Sequence, residues 1–229
     1  MTAKLDLYDI LSALVPGLIL VSWIPVCFPV LLAIPAPHFP DAFAVLALTA
    51  VALALGQLVQ ALASAIEPVL NWSWGGRPSE LALKKGLGDR YLPHVAAQRI
   101  RESLAAAMGG EPSERHIFLY AMNQTDSAGH GRAARFNELY AYHRSLLVLA
   151  LLLAVALAAS ATWGSAATLN VGVRRAAVGG FVLLVPLVWQ RTRQRAYYYV
   201  REVLLTAERG VDQDGRNISD LPQTGMRHE

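Results

Sequence analysis

The sequence predicts an all-α fold: a polytopic membrane helix bundle of four transmembrane helices with a small helical cytoplasmic module. Three observations predict it. Hydrophobic residues make up 54% of the 229 positions and charged residues only 16%, against about 25% charged in an ordinary soluble domain. The apolar residues are gathered in blocks rather than dispersed, and a block of about 20 is what a helix needs to cross hydrocarbon. The basic residues avoid the connection between the first two blocks and crowd elsewhere.

Block one runs from Ile10 to Ile34 without a charge and contains Pro16, Pro25 and Pro29. Proline removes a backbone donor and kinks a helix, so this span is expected to bend, or to break near Pro25 to Pro29. Before it, Lys4 is followed by the acids Asp6 and Asp9, and no Ala-x-Ala site follows the block. That pattern reads as an uncleaved first span rather than a secretory signal. Block two, Ala42 to Ile66, is rich in Ala and Leu and ends at Glu67-Pro68. Residues 1–66 therefore read as an N-terminal transmembrane hairpin.

Residues 67–144 read as a helical cytoplasmic loop, too long for a structureless connection. Pro78, Pro93 and Pro112 each stand where a first helical position is expected. Ala97, Ile100, Leu104 and Met108 recur at helical spacing before Gly109-Gly110, and Ile117, Phe118 and Met122 offer a second apolar face. Thr125 to Gly131 reads as a loop. A helix starting near Arg132 is expected to run on into block three, Ser145 to Leu169. Block four, Val173 to Gln190, is the weakest in apolar content and carries Gly179, Gly180 and Pro186. Residues 145–190 thus read as a second transmembrane hairpin, the alternative for block four being a re-entrant or interfacial helix. Beyond it, Tyr199, Val200, Val203, Leu204 and Ala207 continue a helix that is expected to stop at Gly210, with a mobile polar tail to Glu229.

Charge sets the orientation. Ten Lys and Arg lie between Glu67 and Arg144 and seven from Arg191 onward; the connection Pro35 to Asp41 has none, and that between blocks three and four has Arg174 and Arg175. The positive-inside rule then places both termini and the long loop in the cytoplasm of an inner, or plasma, membrane. The aromatics Trp72, Trp74, Tyr140, Tyr142, Trp189 and Tyr197 to Tyr199 flank the blocks, where amphipathic rings favour headgroups. The same asymmetry is topology information and gives no reason to expect nucleic acid.

Several constellations are candidates for function. Gln57, Gln60, Ser64 and Glu67 are spaced three, four and three apart, which puts them on one helical face. Such a stripe lines a pore or buried site, or simply hydrogen-bonds to other helices. On block three, Ala154, Ala158 and Thr162 form one row of small residues and Ala156, Ser160 and Gly164 another. They suit a homo-oligomer contact and equally suit packing within one bundle. Arg77, in the Trp72 to Glu80 stretch with its glycine N–H donors, is a candidate for lipid headgroup contact. Arg132, Arg135, Glu138, Arg144, Arg191, Arg193 and Arg195 form a collar at the inner interface, where Arg135, Arg144, Arg191, Arg193 and Arg195 suit anionic lipids.

The six histidines make no His-x-x-x-His pair, and Cys27 is the single cysteine. No metal site, cofactor or disulfide framework is expected. Gly-x-Ser-x-Gly and Gly-x-Gly-x-x-Gly are both absent from the sequence.

Leu7-Tyr8-Asp9-Ile10 with Val15-Pro16-Gly17, and Gly56-Gln57-Leu58-Val59-Gln60 through Glu67 followed by Trp-Gly-Gly-Arg-Pro-Ser-Glu, resemble a group of bacterial four-span inner-membrane proteins. The resemblance covers the first two spans and the start of the loop. It implies an architecture and brings no activity with it. The expected function is that of a non-enzymatic, homo-oligomeric pore, sensor or membrane effector whose cytoplasmic helices meet a protein partner. The alternatives are a membrane enzyme acting on a lipid head group through Glu67 and Arg77, and a small transporter.

Overall fold

A computed structural model describes residues 7–27, 41–127, 131–163 and 170–219. The regular elements among them are eight helices, and the only bridge pairs Gly88 with Leu92. In order they are α1 (Leu7–Cys27), α2 (Asp41–Ala65), α3 (Glu67–Ser73), α4 (Pro78–Lys85), α5 (His94–Met108), α6 (Glu114–Ser127), α7 (Arg132–Trp163) and α8 (Val171–Ser219).

Three of these helices are long and apolar enough to cross a membrane: α2, Arg132–Ser160 within α7 and Val171–Asp212 within α8. At about 1.5 Å per residue, the 25 residues of α2 reach about 37 Å, more than the hydrocarbon thickness of about 30 Å. The apolar stretch Ser12–Cys27 of α1 is shorter. Helix α1 continues through Pro16 and Pro25, so no break occurs at Pro25. The remainder of block one, with Pro29, lies outside the described residues, as does block three beyond Trp163.

The chain divides into two compact units. The first comprises residues 1–70 and 137–195, the second residues 71–136 and 196–229. Helices α7 and α8 therefore each contribute to both.

In the first unit, α1 and α2 cross with their backbones almost touching. A Cβ placed on Gly17 would overlap the carbonyl of Ala52, and one on Gly56 would overlap that of Ala13. Ala13 and Gly17 are four apart, as are Ala52 and Gly56, so each helix presents one small-residue notch to the other. Val59 and Ala63 pack in one cluster with Val148, Leu149 and Leu153 of α7, and Ile19, Leu20 and Trp23 of α1 and Phe181 of α8 pack against it. Trp23 meets Phe181 edge to face, 5.4 Å between centroids, a favoured aromatic geometry. Hydroxyls in these apolar helices bond their own backbone: Ser22 to Leu18 O, Thr49 to Val45 O and Thr192 to Val188 O, each at 2.8 Å. That satisfies the donor without a partner helix.

The second unit has a conventional apolar core. Ala97, Ile100 and Leu104 of α5, Ile117 and Ala121 of α6, and Val200, Val203, Leu204 and Ala207 of α8 are all buried together. Pro78 opens α4. Pro93 is the N-cap of α5, and Pro112 precedes α6 by two residues, so two of the three prolines sit just outside the expected first position. Lys84 and Lys85 occupy the last turn of α4, where positive charge complements the helix dipole. Gly86 then turns at φ +73°, a conformation that disfavours side chains, and a Cβ there would sit 2.6 Å from Leu92 O. Leu87 N–H donates to the same carbonyl at 2.8 Å, closing the loop that delivers Leu92 to the core.

Two boundaries differ from the sequence expectation. Thr125, Asp126 and Ser127 belong to α6 instead of a loop. Thr125 is buried, and its hydroxyl donates to Ala121 O at 2.8 Å, an i to i−4 bond that lets a loop-prone residue stay helical. Helix α8 also passes Gly210 and continues to Ser219. A helical glycine costs only about 1 kcal/mol, and no proline intervenes before Pro222.

The aromatics also differ. Tyr197 is 8% exposed within the core of the second unit. Tyr91 packs edge to face on both Tyr197 and Tyr198, Phe136 stacks on Tyr198, and Phe118 meets Tyr199. Trp74 is buried as well, whereas Trp72 is exposed. Tyr197 is thus part of the core of the helical module, with Tyr199 packed against it, and aromatic partners from α6, α7 and the loop before α5 meet the triplet.

Candidate functional site

Within the first unit, polar side chains from α1, α2, α3 and α7 form one connected chain. Gln60 Nε2 donates to Ser12 Oγ at 3.0 Å, which ties α2 to α1. The Ser64 hydroxyl donates to Gln60 O at 3.1 Å and accepts from Arg144 Nη2 at 3.0 Å. Arg144 Nη1 donates to Glu67 Oε2 in an ion pair. The Arg144 guanidinium also lies over the Tyr140 ring, 5.2 Å from its centroid, a cation–π distance.

These contacts follow from spacing. On α2, Ala52, Gly56, Val59 and Ala63 are the buried face. Gln60 and Ser64 each come one residue later, about 100° around the helix, and so flank the seam where α1 and α7 approach. Arg144 is mostly buried, with its side chain 13% exposed against 41% for Glu67. Its Nε is buried with no protein acceptor among the described residues. A buried guanidinium needs its charge compensated, and Glu67, Ser64 and Tyr140 together supply that compensation. The arrangement clamps three helices through one charge.

The sequence-derived candidates divide as follows. Gln60, Ser64 and Glu67 are brought together, while Gln57 is exposed on α2. The basic collar is split between the units. Arg132 and Arg135 belong to the second, as does Arg77 outside the collar, 3.9 Å from Glu80. The N–H groups of Gly75 and Gly76 bond to Trp72 O and Asn71 O, so those glycine donors are taken up by the turn itself. Arg144, Arg191, Arg193 and Arg195 belong to the first unit. Arg193 lies over Trp189, 6.0 Å from its centroid. Arg191 reaches Gln194 Oε1 at 3.4 Å. Among the small residues of α7, Ala154 is half-buried, Ala158 is exposed and Ser160 is buried, donating to Leu157 O at 2.8 Å. Gly164 lies outside the described residues.

Sequence reasoning did not connect Ser12 with the Gln60 stripe, and assigned Tyr140 only to a membrane boundary. It sought small-residue packing on block three and overlooked the notches of blocks one and two, whose matching four-residue spacing was the available signal. It also missed Glu208. This acid is buried, and it accepts from Arg99 Nε at 2.9 Å and Nη2 at 3.2 Å. The bidentate pair, separated by more than a hundred residues, raises the Arg99 pKa, first through the hydrogen bond and then through the charge of Glu208.

Comparison with protein-family models, with curated proteins and with solved structures returned no match.

Proposed function

We propose that the chain is a four-span protein of a bacterial inner membrane that holds a helical module on the cytoplasmic side and works as a non-enzymatic sensor or effector. One observation carries this reading. Phe43, Val45, Leu46, Leu58 and Leu62 of α2, and Val182, Leu183 and Leu187 of α8, are exposed. A surface this rich in large apolar side chains is costly in water, at about 25 cal/mol per Å², and costs nothing against lipid. Block one supplies the fourth span, with α1 as its described part.

The connected polar chain supports an effector over a pore. Gln60, Ser64 and Glu67 direct their polar atoms to Ser12 and Arg144, which suits interhelical clamping better than a water path. The second unit, with its own core and charged exterior, suits a soluble protein partner.

Topology labelling tests the reading. In a Cys27→Ser background, single cysteines replace Asp41 or Arg99. A membrane-impermeant maleimide is expected to reach position 41 in intact cells and position 99 only after lysis. Labelling of position 99 from outside overturns the orientation. Extraction of the protein from membranes by alkaline carbonate overturns the spans themselves.

A further inference from the structure

The polar residues of α2 fare differently from one another. Gln60 bonds Ser12 and Ser64 accepts from Arg144. Gln57, one turn earlier, is exposed, and its amide makes no hydrogen bond with any described residue. Its depth sharpens the problem. Helix α2 ends at Ala65, about 12 Å beyond Gln57, and begins at Asp41, about 24 Å before it. In a hydrocarbon layer of about 30 Å that position is near the middle. A glutamine side chain is too short to bring its amide from there to the headgroups, as a long lysine or arginine near a helix end can. An amide turned to lipid forfeits the hydrogen bonds that water gives it. Ala50, Ala54 and Ala61 lie within about 60° of Gln57 round the helix, and all three are exposed. The small-residue rows of α7 are partly used inside the chain instead, with Ala154 half-buried and Ser160 buried.

We propose that this face of α2 is the contact between two copies of the chain, in which the Gln57 amide bonds the partner's Gln57. Symmetry commits the occupant to a second copy. Two copies inserted in one membrane share an orientation, so the twofold axis that relates them runs along the membrane normal. Helix α2 then meets its counterpart in parallel, and each position near the axis meets itself. A primary amide suits that meeting, because it carries an acceptor oxygen and two N–H donors and pairs reciprocally with its own copy. Two carboxylates or two ammonium groups at the same place would repel. A different protein would need its own donor and acceptor at this one depth. The alanines on either side let the two backbones come close enough for the amides to reach each other, and interhelical amide bonds of this kind hold helices together in lipid. This inference rests on reading α2 as a span.

The test uses the full chain in isolated membranes, in a Cys27→Ser background, with single cysteines oxidised by copper phenanthroline. Disulfide-linked dimer is read on a non-reducing gel. Ala54→Cys and Ala61→Cys are expected to cross-link. Leu62→Cys is expected not to, because Leu62 is also exposed but lies about 140° round the helix from Gln57. Gln57→Leu, added to Ala61→Cys, keeps the helix apolar and removes the amide. It should lower the initial rate of cross-linking about tenfold. Gln57→Asn keeps an amide and should retain part of the rate. The contact is overturned by the absence of dimer at positions 54 and 61, by an equal yield at position 62, or by a rate that Gln57→Leu leaves unchanged. A linked band whose mass is not that of two chains overturns the second copy in favour of another protein. Release of the chain from membranes by alkaline carbonate sinks the span reading instead, whereas retention without a cross-link sinks the contact alone.

Discussion

The two units of this chain solve the packing problem by different means. In the second, buried Ile100, Leu104, Val203 and Leu204 make the core and charges such as Arg99 and Arg101 lie exposed. In the first, the closest helix contact is made by glycine and alanine, polar side chains bond between helices, and large apolar side chains such as Phe43 and Leu183 point outward. Water drives the first kind of core by expelling apolar surface. Lipid gives no such drive, and helices in it associate through close backbone approach and interhelical hydrogen bonds. If the first unit lies in a membrane as proposed, one polypeptide carries the packing rules of both solvents.

The largest expected effect breaks the close crossing. Gly56→Leu puts a side chain into the Ala13 carbonyl, and the opposing atoms are backbone that cannot rotate away. The helices must separate, at a cost of more than about 3 kcal/mol. Loss of a monodisperse peak on size exclusion in detergent checks this, and a variant as well behaved as the wild type refutes the crossing. Next in size is Leu104→Ala. Leu104 is fully buried in the second unit, and its truncation should cost about 3 kcal/mol by lost transfer energy and residual cavity. Proteolysis of residues 71–136 should accelerate, read as the appearance of cleaved fragments. If the second unit answers to ordinary core rules, a cavity there matters as it does in water-soluble domains.

Much of this was legible in the sequence, and physics explains which part. Helix existence and the course of α2, α7 and α8 follow from long apolar runs, the strongest local signal a chain carries. Core positions Ala97, Ile100 and Leu104 follow from their period. Boundaries were less legible: Thr125 stays helical because its hydroxyl finds Ala121 O, and Gly210 fails to end α8 because one glycine is too weak a stop. The stripe Gln60, Ser64 and Glu67 was visible as a face, but its partner Arg144 was not, because it stands 77 positions after Glu67 in the chain. For the same reason the packing of the tyrosine triplet was not legible. Composition places Tyr next to apolar runs in both settings, and only tertiary contact with Tyr91, Phe118 and Phe136 tells them apart.

A smaller effect separates clamp from pore. Glu67→Gln leaves Arg144 with its hydrogen-bonding geometry and without its counter-charge. Because Glu67 is partly exposed, solvent screens the pair, and the loss should be about 1 kcal/mol. It is read as a drop in the melting temperature of the detergent-solubilised protein. Glu67→Gln with Arg144→Gln should recover part of the loss, since no uncompensated charge remains. A stripe that lines a water path predicts another pattern: no change in stability, and altered conductance in liposomes.

The smallest expected effect bears on what stands outside the first unit. Gly17 and Gly56 face carbonyls, but around Gly179 and Gly180 of α8 no atom would meet an added Cβ. If lipid alone covers that part of α8, Gly180→Ala removes a flexible position from a helix interior and should stabilise by about 0.5 kcal/mol. If instead a helix from a second copy approaches there, the same methyl group enters its path, because small residues permit close approach and larger ones forbid it. The melting temperature would then fall, and the apparent mass by light scattering would fall with it. A substitution of one methyl group therefore distinguishes a lipid-facing glycine from an oligomer contact, and its sign is more informative than its size.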